Sequence, residues 1–431
     1  MKYFQEQFDA LLEYRSDEDN ALRDLRIRAF NNFKETGLPN KKWEEWQFTD
    51  FSLIEKGDFR LSREKDLPPI PAHIPGRIPN TYLIFIINGH YQPKLSEVPN
   101  EVLISTGLEH FQSNPKSYSF ENKSVGVLGS SNPFISLNTS MMNSGLPIYI
   151  PNNVRLSKPI QIIYLTTELS DALMNHPRFV FHLGERSEAT IIEHYIGSTP
   201  ISYFTNSVTK IEIESNAHLN HVLIQEDSAA SSLAANTDYI LHRESELNTN
   251  SISLGGLLYR HNIKLNFKEK GSSANLNGLS LIENKQHHDQ HVIVDHSSNA
   301  CQSNQLFKYI LSDKSSGVFN GKVVVREHTK QTDADQSNKN LLLSPHALMN
   351  ANPQLEIYAE DVKCAHGSTT GQIDPEALFY LRSRGINKQK AIELIIGGFA
   401  KEIIDSIENA DIQTYVGERV TSWLDGTMHH G

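Results

Sequence analysis

The chain has only two cysteines among its 431 residues, Cys301 and Cys364. Two thiols cannot build a disulfide framework, and both are expected to be reduced. No apolar run reaches the roughly 18 residues that a membrane-spanning helix needs. The N-terminus, MKYFQEQFDALLEYRSDEDN, is polar and amphipathic and lacks the basic-then-apolar order of a secretory leader. A cytoplasmic protein is the expectation. Dense Lys/Arg blocks are missing too, and a net charge of −11 speaks against nucleic acid or an anionic membrane as partner. There is no nucleophile elbow, no Rossmann glycine pattern and no Cys-x-x-Cys. GVFNGKV (317–323) imitates a phosphate-binding loop, but it is one residue short between the glycines and has Val323 where Ser or Thr would meet magnesium. It reads as a turn between strands, and no bound nucleotide is expected on this chain.

What is present divides the chain into four parts. In residues 1–65, Phe4, Phe8, Leu11 and Leu12 share a helical face, as do Leu22, Leu25, Ala29 and Phe33, with SDEDN (16–20) as a break. GLPNKKWEEWQFTDF (37–51) adds a turn and aromatics. The Pro-rich stretch 66–80 forbids a regular helix and suits an extended linker. Over 81–372, short β-prone runs alternate with small polar clusters. Those beginning at Ser187, Ser215, Ser245, Ser272 and Ser298 recur at intervals of 28, 30, 27 and 26 residues. An interval of that length holds two or three strands plus turns, so stacking such coils buries a continuous apolar column. The expected fold is mainly β, a central β-helix (a solenoid of stacked coils) with α-helical regions at both ends; a β-sandwich is the competing arrangement.

Residues 373–431 read as helices. Asp374 is placed to cap the first, with Pro375 at its first position and Gly385 at its close. Asn387 can cap a second, whose Ala391, Leu394, Ile395, Phe399, Ile403 and Ile407 share a broad apolar face despite Gly397-Gly398. A third, short segment spaces Ile412, Val416 and Val420 four apart. Such a region can seal the end of a solenoid or offer a surface to a partner; sealing is the simpler expectation.

Three groups of residues could carry chemistry. In DVKCAHG, Cys364 and His366 stand two apart and on a strand would point to one side, where they could bind a borderline metal or form an activated thiol. Free cysteine is also among the most buried residue types. In KQHHDQHVIVDH, His287, Asp289 and His291 would share a strand face beside His288 and His296, which suits a metal, although a His-rich polar turn is commonly just solvated. Asp333 and Asp335 in TDADQ are the carboxylates that a β-helical polysaccharide hydrolase or lyase would need, but they are expected in a polar loop.

The block VFNGKVVVREHTKQTDADQSNKNLLLSPHALMNANPQLEIYAEDVKCAHGSTTGQIDPEALFYLRSRGI (318–386) resembles the signature region of the SufB/SufD family of iron–sulfur cluster assembly proteins. INGHY, LNTSMMNSGLPIYIPNNVRLSKPI and VDHSSNACQSNQLFKYI extend the resemblance over nearly the whole chain. Gly37-Leu38-Pro39 followed by Glu45-Trp46, with few cysteines, is similar to the SufD branch. The resemblance implies a non-enzymatic scaffold that pairs with SufB through the β-helices. It also implies binding of the ATPase SufC through the C-terminal helices, with Ala391, Leu394, Ile395, Phe399 and Ile403 as contacts. Matched to the family motif, His366 and Cys364 would lie at the SufB interface and take part in a transient iron–sulfur cluster shared with that partner. A flavin on the complex, and a homodimer of the isolated chain, are compatible with the resemblance.

Overall fold

In the computed structural model, which describes residues 2–64, 67–68, 73–104, 132–142, 145–167, 172–197 and 201–428, the recurring polar clusters are the corners of stacked coils. Arg186, Asn216, Glu244, Gly271 and Ala300, at or beside each cluster, all take positive φ. Each corner bonds to the next: Arg186 N–H to the Ser215 carbonyl at 3.1 Å, Asn216 to Arg243 at 2.9 Å, Glu244 to Lys270 at 3.1 Å, Gly271 to Asn299 at 3.1 Å. A small or polar residue at this point lets the chain turn and keeps its amide paired, which is why the clusters repeat.

Strands are numbered along the chain. The first seven are β1 Arg60–Leu61, β2 Tyr82–Ile87, β3 His90–Tyr91, β4 Leu103–Ile104, β5 Gly145–Ile150, β6 Ile160–Thr166 and β7 Leu173–Asn175. One long sheet then takes β8 Arg178–Leu183, β10 Tyr203–Ile213, β12 Ser232–Leu241, β14 Leu258–Phe267, β16 His287–His296, β18 Ser316–Val325 and β20 Leu348–Ile357. A second takes β9 Glu188–Gly197, β11 His218–Glu226, β13 Glu246–Ser253, β15 Ser273–Ile282, β17 Gln302–Leu311, β19 Thr332–Leu342 and β21 Val362–Gln372. Every strand in these runs pairs in parallel with the strand two further on, as in Tyr259↔His288 and Gln302↔Asp333. That is the connectivity of a β-helix, and it excludes the antiparallel sandwich.

Between the sheets runs one apolar column that includes Ile148, Phe181, Ile211, Tyr239, Leu265, Val294 and Val323, all buried. Full burial of such a side chain is worth about 1.5–3 kcal/mol. GVFNGKV is not a turn: Gly317 and Gly321 lie inside β18. A Cβ on Gly321 would sit 2.1 Å from Nε2 of Gln336, so glycine there makes room inside the coil. Asp333 and Asp335 likewise lie on β19, exposed, and not in a loop.

Helices α1 Lys2–Tyr14, α2 Asn20–Thr36, α3 Ser52–Lys56 and α4 Pro133–Met141 pack on the outer face of the first sheet. Asp19 caps α2 by accepting from the Ala21 amide at 2.9 Å, at the break expected from SDEDN. Phe4, Phe8, Phe30, Phe33 and Phe134 meet Phe204, Ala234 and Leu258 from the sheet. The Pro-rich connector lies partly outside the described residues; within them Ile78 is fully buried, its amide bound to Gln161 Oε1 at 2.9 Å.

At the C-terminus, α5 Pro375–Ser383 is capped by Asp374 and α6 Lys388–Ile404 by Asn387, whose side chain accepts from the Lys390 amide at 2.8 Å. The expected short third segment is a full helix, α7 Ala410–Met428. These helices do not seal the solenoid. Ile396, Ala400, Ile403, Ile407, Ile412 and Val416 lie along its flank, against Val222, Ile224, Ile252, Leu279 and Ile310 of the second sheet. Lys308 Nζ reaches across to the Phe399 carbonyl at 2.8 Å and to Glu402 at 2.5 Å. The last coil therefore stays uncovered by them.

Candidate functional site at the open end of the solenoid

Strands β20 and β21 end the two sheets, and among the described residues nothing pairs with their outer edges. Each is long, at 10 and 11 residues. Side chains of β21 that continue the inward-facing rows are polar. The register places Cys364 after Ala334, His366 after Gln336, Ser368 after Asn338 and Thr370 after Asn340. Ser368 Oγ donates to Asn338 Oδ1 at 3.1 Å, and Asn340 Nδ2 donates to the Thr369 carbonyl at 3.1 Å. On its β21 side the column thus ends in a polar layer, whereas on β20 Met349 and Leu355, half-buried, continue the apolar rows, and among the described residues no further coil covers either.

Cys364 and His366 sit on the same side of this edge strand, as the two-residue period requires. Cys364 is half-buried against the end of the column, whereas His366 is exposed. His366 makes no hydrogen bond or ion pair among the described residues. The Cys364 thiol is not activated. Partial burial, and then the Asp333 carboxylate, push its pKa up, although the Ala334 backbone opposes them. It therefore rests as the protonated thiol at neutral pH and becomes a metal ligand only where a cation or a rearrangement favours the thiolate. Replacing Asp333 by Asn is expected to raise the rate of Cys364 alkylation by iodoacetamide at pH 8 severalfold, with Cys301 as internal control. An unchanged rate would show that Asp333 exerts no field on the thiol. Cys301 is fully buried at a corner, its sulfur facing the carbonyls of Glu269 and Asn299 at 3.4 and 3.3 Å, and its burial raises its pKa.

The histidine-rich strand β16 behaves differently from either expectation. His287, Asp289 and His291 do share a face, but it is the outer face beneath the N-terminal region and not a solvated turn. Arg260, the register partner of Asp289 one coil earlier, pairs with it at 2.5 Å. Thr49 donates to the same carboxylate and lies 2.9 Å from His287 Nε2. Burial pushes the Asp289 carboxyl up, yet Arg260 and His291 beside it hold it below the usual carboxylate range. These groups are taken up by one another as a structural clamp, and their ligand atoms are not among the convergent sets of the described residues.

The five apolar residues read as partner contacts are split. Ile403 is buried against the solenoid, Ala391 is buried, Ile395 and Phe399 are half-buried, and Leu394 is 47% exposed. Sequence reading missed Phe379 and Tyr380 on α5, exposed by 74% and 61%. The pair of exposed aromatics flanked by caps was the available signal.

Comparison with known proteins agrees with this architecture. Residues 164–399 match the family described as "SUF system FeS cluster assembly, SufBD core domain", and residues 1–162 match "SufBD protein N-terminal region". An "Iron-sulfur cluster assembly protein SufD" of Escherichia coli is 31% identical over 393 residues, covering 91% of this chain and 90% of the relative. A SufBD family protein of Synechocystis is 33% identical over 418 residues, covering 92% and 90%. The SufD of Bacillus subtilis is 24% identical over 406 residues, covering 90% of each.

Proposed function

The chain belongs to the SufB/SufD family of iron–sulfur cluster assembly proteins, on its SufD branch, and from that premise we propose that it is a non-catalytic scaffold subunit whose open coil end joins SufB. The observation that carries this reading is the pair of long edge strands, unpaired among the described residues, of which β21 bears both Cys364 and His366. Exposed edges of that length are a hazard unless a partner covers them. A SufB β-helix end would continue both sheets and bury the polar layer. Two ligands from this chain cannot complete a cluster site, so a nascent iron–sulfur cluster would be shared with SufB ligands and released readily.

The C-terminal helices would hold the ATPase SufC through the patch around Phe379, Tyr380 and Leu394. The nucleotide would then be bound by SufC. ATP-driven closure of two SufC subunits would pull on the flanking helices and open the SufB junction, provided ATP favours the closed state by a differential free energy. No helix among the described residues is long and apolar enough to cross a membrane, and we place the complex in the cytoplasm.

The test is copurification with the SufB and SufC of the same organism, followed by anaerobic iron and sulfide reconstitution. His366→Ala is expected to leave the three-component complex intact and to lower the cluster absorption by severalfold. Phe379→Asp combined with Leu394→Asp is expected to retain SufB and lose SufC. Equal cluster yield with Ala at 366 would assign the chemistry to SufB alone, and full SufC retention by the double variant would move the docking surface elsewhere.

A further inference from the structure

A second set of ligating groups lies several coils away from Cys364 and His366, at the corner that follows β8, β10 and β12. We propose that His182, Glu212, Glu214 and His242 bind one divalent first-row transition-metal ion. Coil stacking assembles the set. His182 on β8 is the register partner of Glu212 on β10. Glu214 and His242 directly follow the ends of β10 and β12, which run side by side in register.

The distances suit one ion. His242 Nε2 is 3.0 Å from Glu212 Oε1 and 3.9 Å from Glu214 Oε1. His182 Nε2 is 3.6 Å from Glu214 Oε1, and its Nδ1 is 3.9 Å from Glu212 Oε2. Ligands at metal bonds of about 2.0–2.1 Å in a tetrahedral shell are spaced roughly 3.3 Å apart. The ligand atoms of Glu212, Glu214 and His242 already lie within 4.8 Å of one another, and this is the convergent group of three among the described residues. His182 lies outside that group, with each ring nitrogen facing a different carboxylate, so only one of them can ligate and its ring must rotate to supply the fourth position.

The surroundings favour a metal over a chance ion pair. The His242 side chain is 9% exposed, and those of Glu212 and Glu214 are 29% and 26% exposed. An ion there would be partly desolvated and still reachable. The other ring nitrogen of His242, Nδ1, faces Glu269 Oε1 at 3.3 Å. Glu269 is itself fixed by the Arg243 amide, which donates to Oε2 at 3.1 Å. A carboxylate behind a histidine is the arrangement that orients Nε2 toward a metal. Two imidazoles with two carboxylates select a borderline ion such as Zn²⁺, Co²⁺ or Fe²⁺ over Mg²⁺ or Ca²⁺, which require oxygen alone.

The experiment is anaerobic titration of the full chain with Co²⁺, read by visible absorption, and then displacement by Zn²⁺. Wild type is expected to take up one equivalent with a low-symmetry cobalt spectrum that Zn²⁺ abolishes. Glu214→Gln, a partly exposed change that spares the fold, should lose that spectrum, as should His242→Ala. Glu269→Gln should weaken Zn²⁺ binding about 10- to 100-fold. Cys364→Ser and His366→Ala should leave the equivalent in place. The proposal is overturned if wild type and Glu214→Gln bind the same number of ions, or if the cobalt spectrum depends on Cys364 and His366 instead.

Discussion

Arg260→Ala is expected to lower unfolding free energy by about 3–5 kcal/mol, the usual cost of leaving one partner of a buried ion pair alone. Arg260 is fully buried and meets four groups at once. Its guanidinium lies 4.0 Å from the Trp46 ring centroid. It donates to Asp289 at 2.5 Å, to the Glu45 carbonyl at 3.1 Å and, through Nε, to Asn262 Oδ1 at 2.9 Å. Removing it strands the Asp289 carboxylate, which is 1% exposed, and frees the ring that anchors residues 43–51. The cation–π contact alone is worth roughly 0.5–2 kcal/mol.

Arg260→Met should cost nearly as much, because the charge on Asp289 remains. Arg260→Met with Asp289→Asn should recover about 1–3 kcal/mol of that loss, since a neutral amide is far cheaper to bury than an unpaired carboxylate. Urea unfolding measures the cycle, and limited proteolysis between Thr36 and Arg60 reports release of the N-terminal segment. A loss below about 1 kcal/mol in Arg260→Ala, with proteolysis unchanged, would show that the aromatic packing of Trp46, Phe51 and Phe134 holds that segment without the ion pair.

The contrast between these residues and the coil corners explains what was legible in the sequence. Corners and caps are local events: Asn216 or Gly271 turns the chain where it stands, and Asp374 and Asn387 bond amides two or three residues away. Their signal survives in one dimension. The role of His287, Asp289 and His291 depends on Arg260 and on Thr49, which is 240 positions from Asp289. No spacing rule reaches that far. Glycine and aspartate misled for a related reason. In GVFNGKV and TDADQ they were read by turn propensity, but the strand context decides, and Gly321 is there for the side chain of Gln336 on the next strand, in the facing sheet. The shared face of Cys364 and His366 followed from strand period. Their exposure did not, because it depends on which coil is last and on helices that run along the flank.

Acid is expected to unfold the chain steeply below pH 6.5, for a reason built into the same interior. Burial holds His176, His261 and His288 neutral, with pKa values lowered to about 3, and His291 and His296 to about 4. In the unfolded chain each titrates near about 6.5. Between that pH and about 4 the unfolded state therefore binds protons that the native state refuses. The stability these neutral imidazoles confer is complete above pH 6.5 and falls as pH falls. Each contributes a slope of about 1.4 kcal/mol per pH unit. Five together give roughly 7 kcal/mol per unit, comparable to the whole stability of an ordinary domain. His242 works in the opposite direction, because its bond to Glu212 raises its pKa and the native state keeps that proton more tightly. One group cannot offset five. Depressed carboxyls such as Glu212, at about 2, add their loss only further down, below the ordinary glutamate pKa of about 4.3. Urea unfolding at pH 7.5, 6.5 and 5.5 should thus give an uptake of at least about three protons in the lower interval, and His261→Gln should reduce it by about one. An uptake under one proton would mean that imidazolium is accommodated inside the coils, through groups such as Glu193, whose Oε1 lies 3.2 Å from His221.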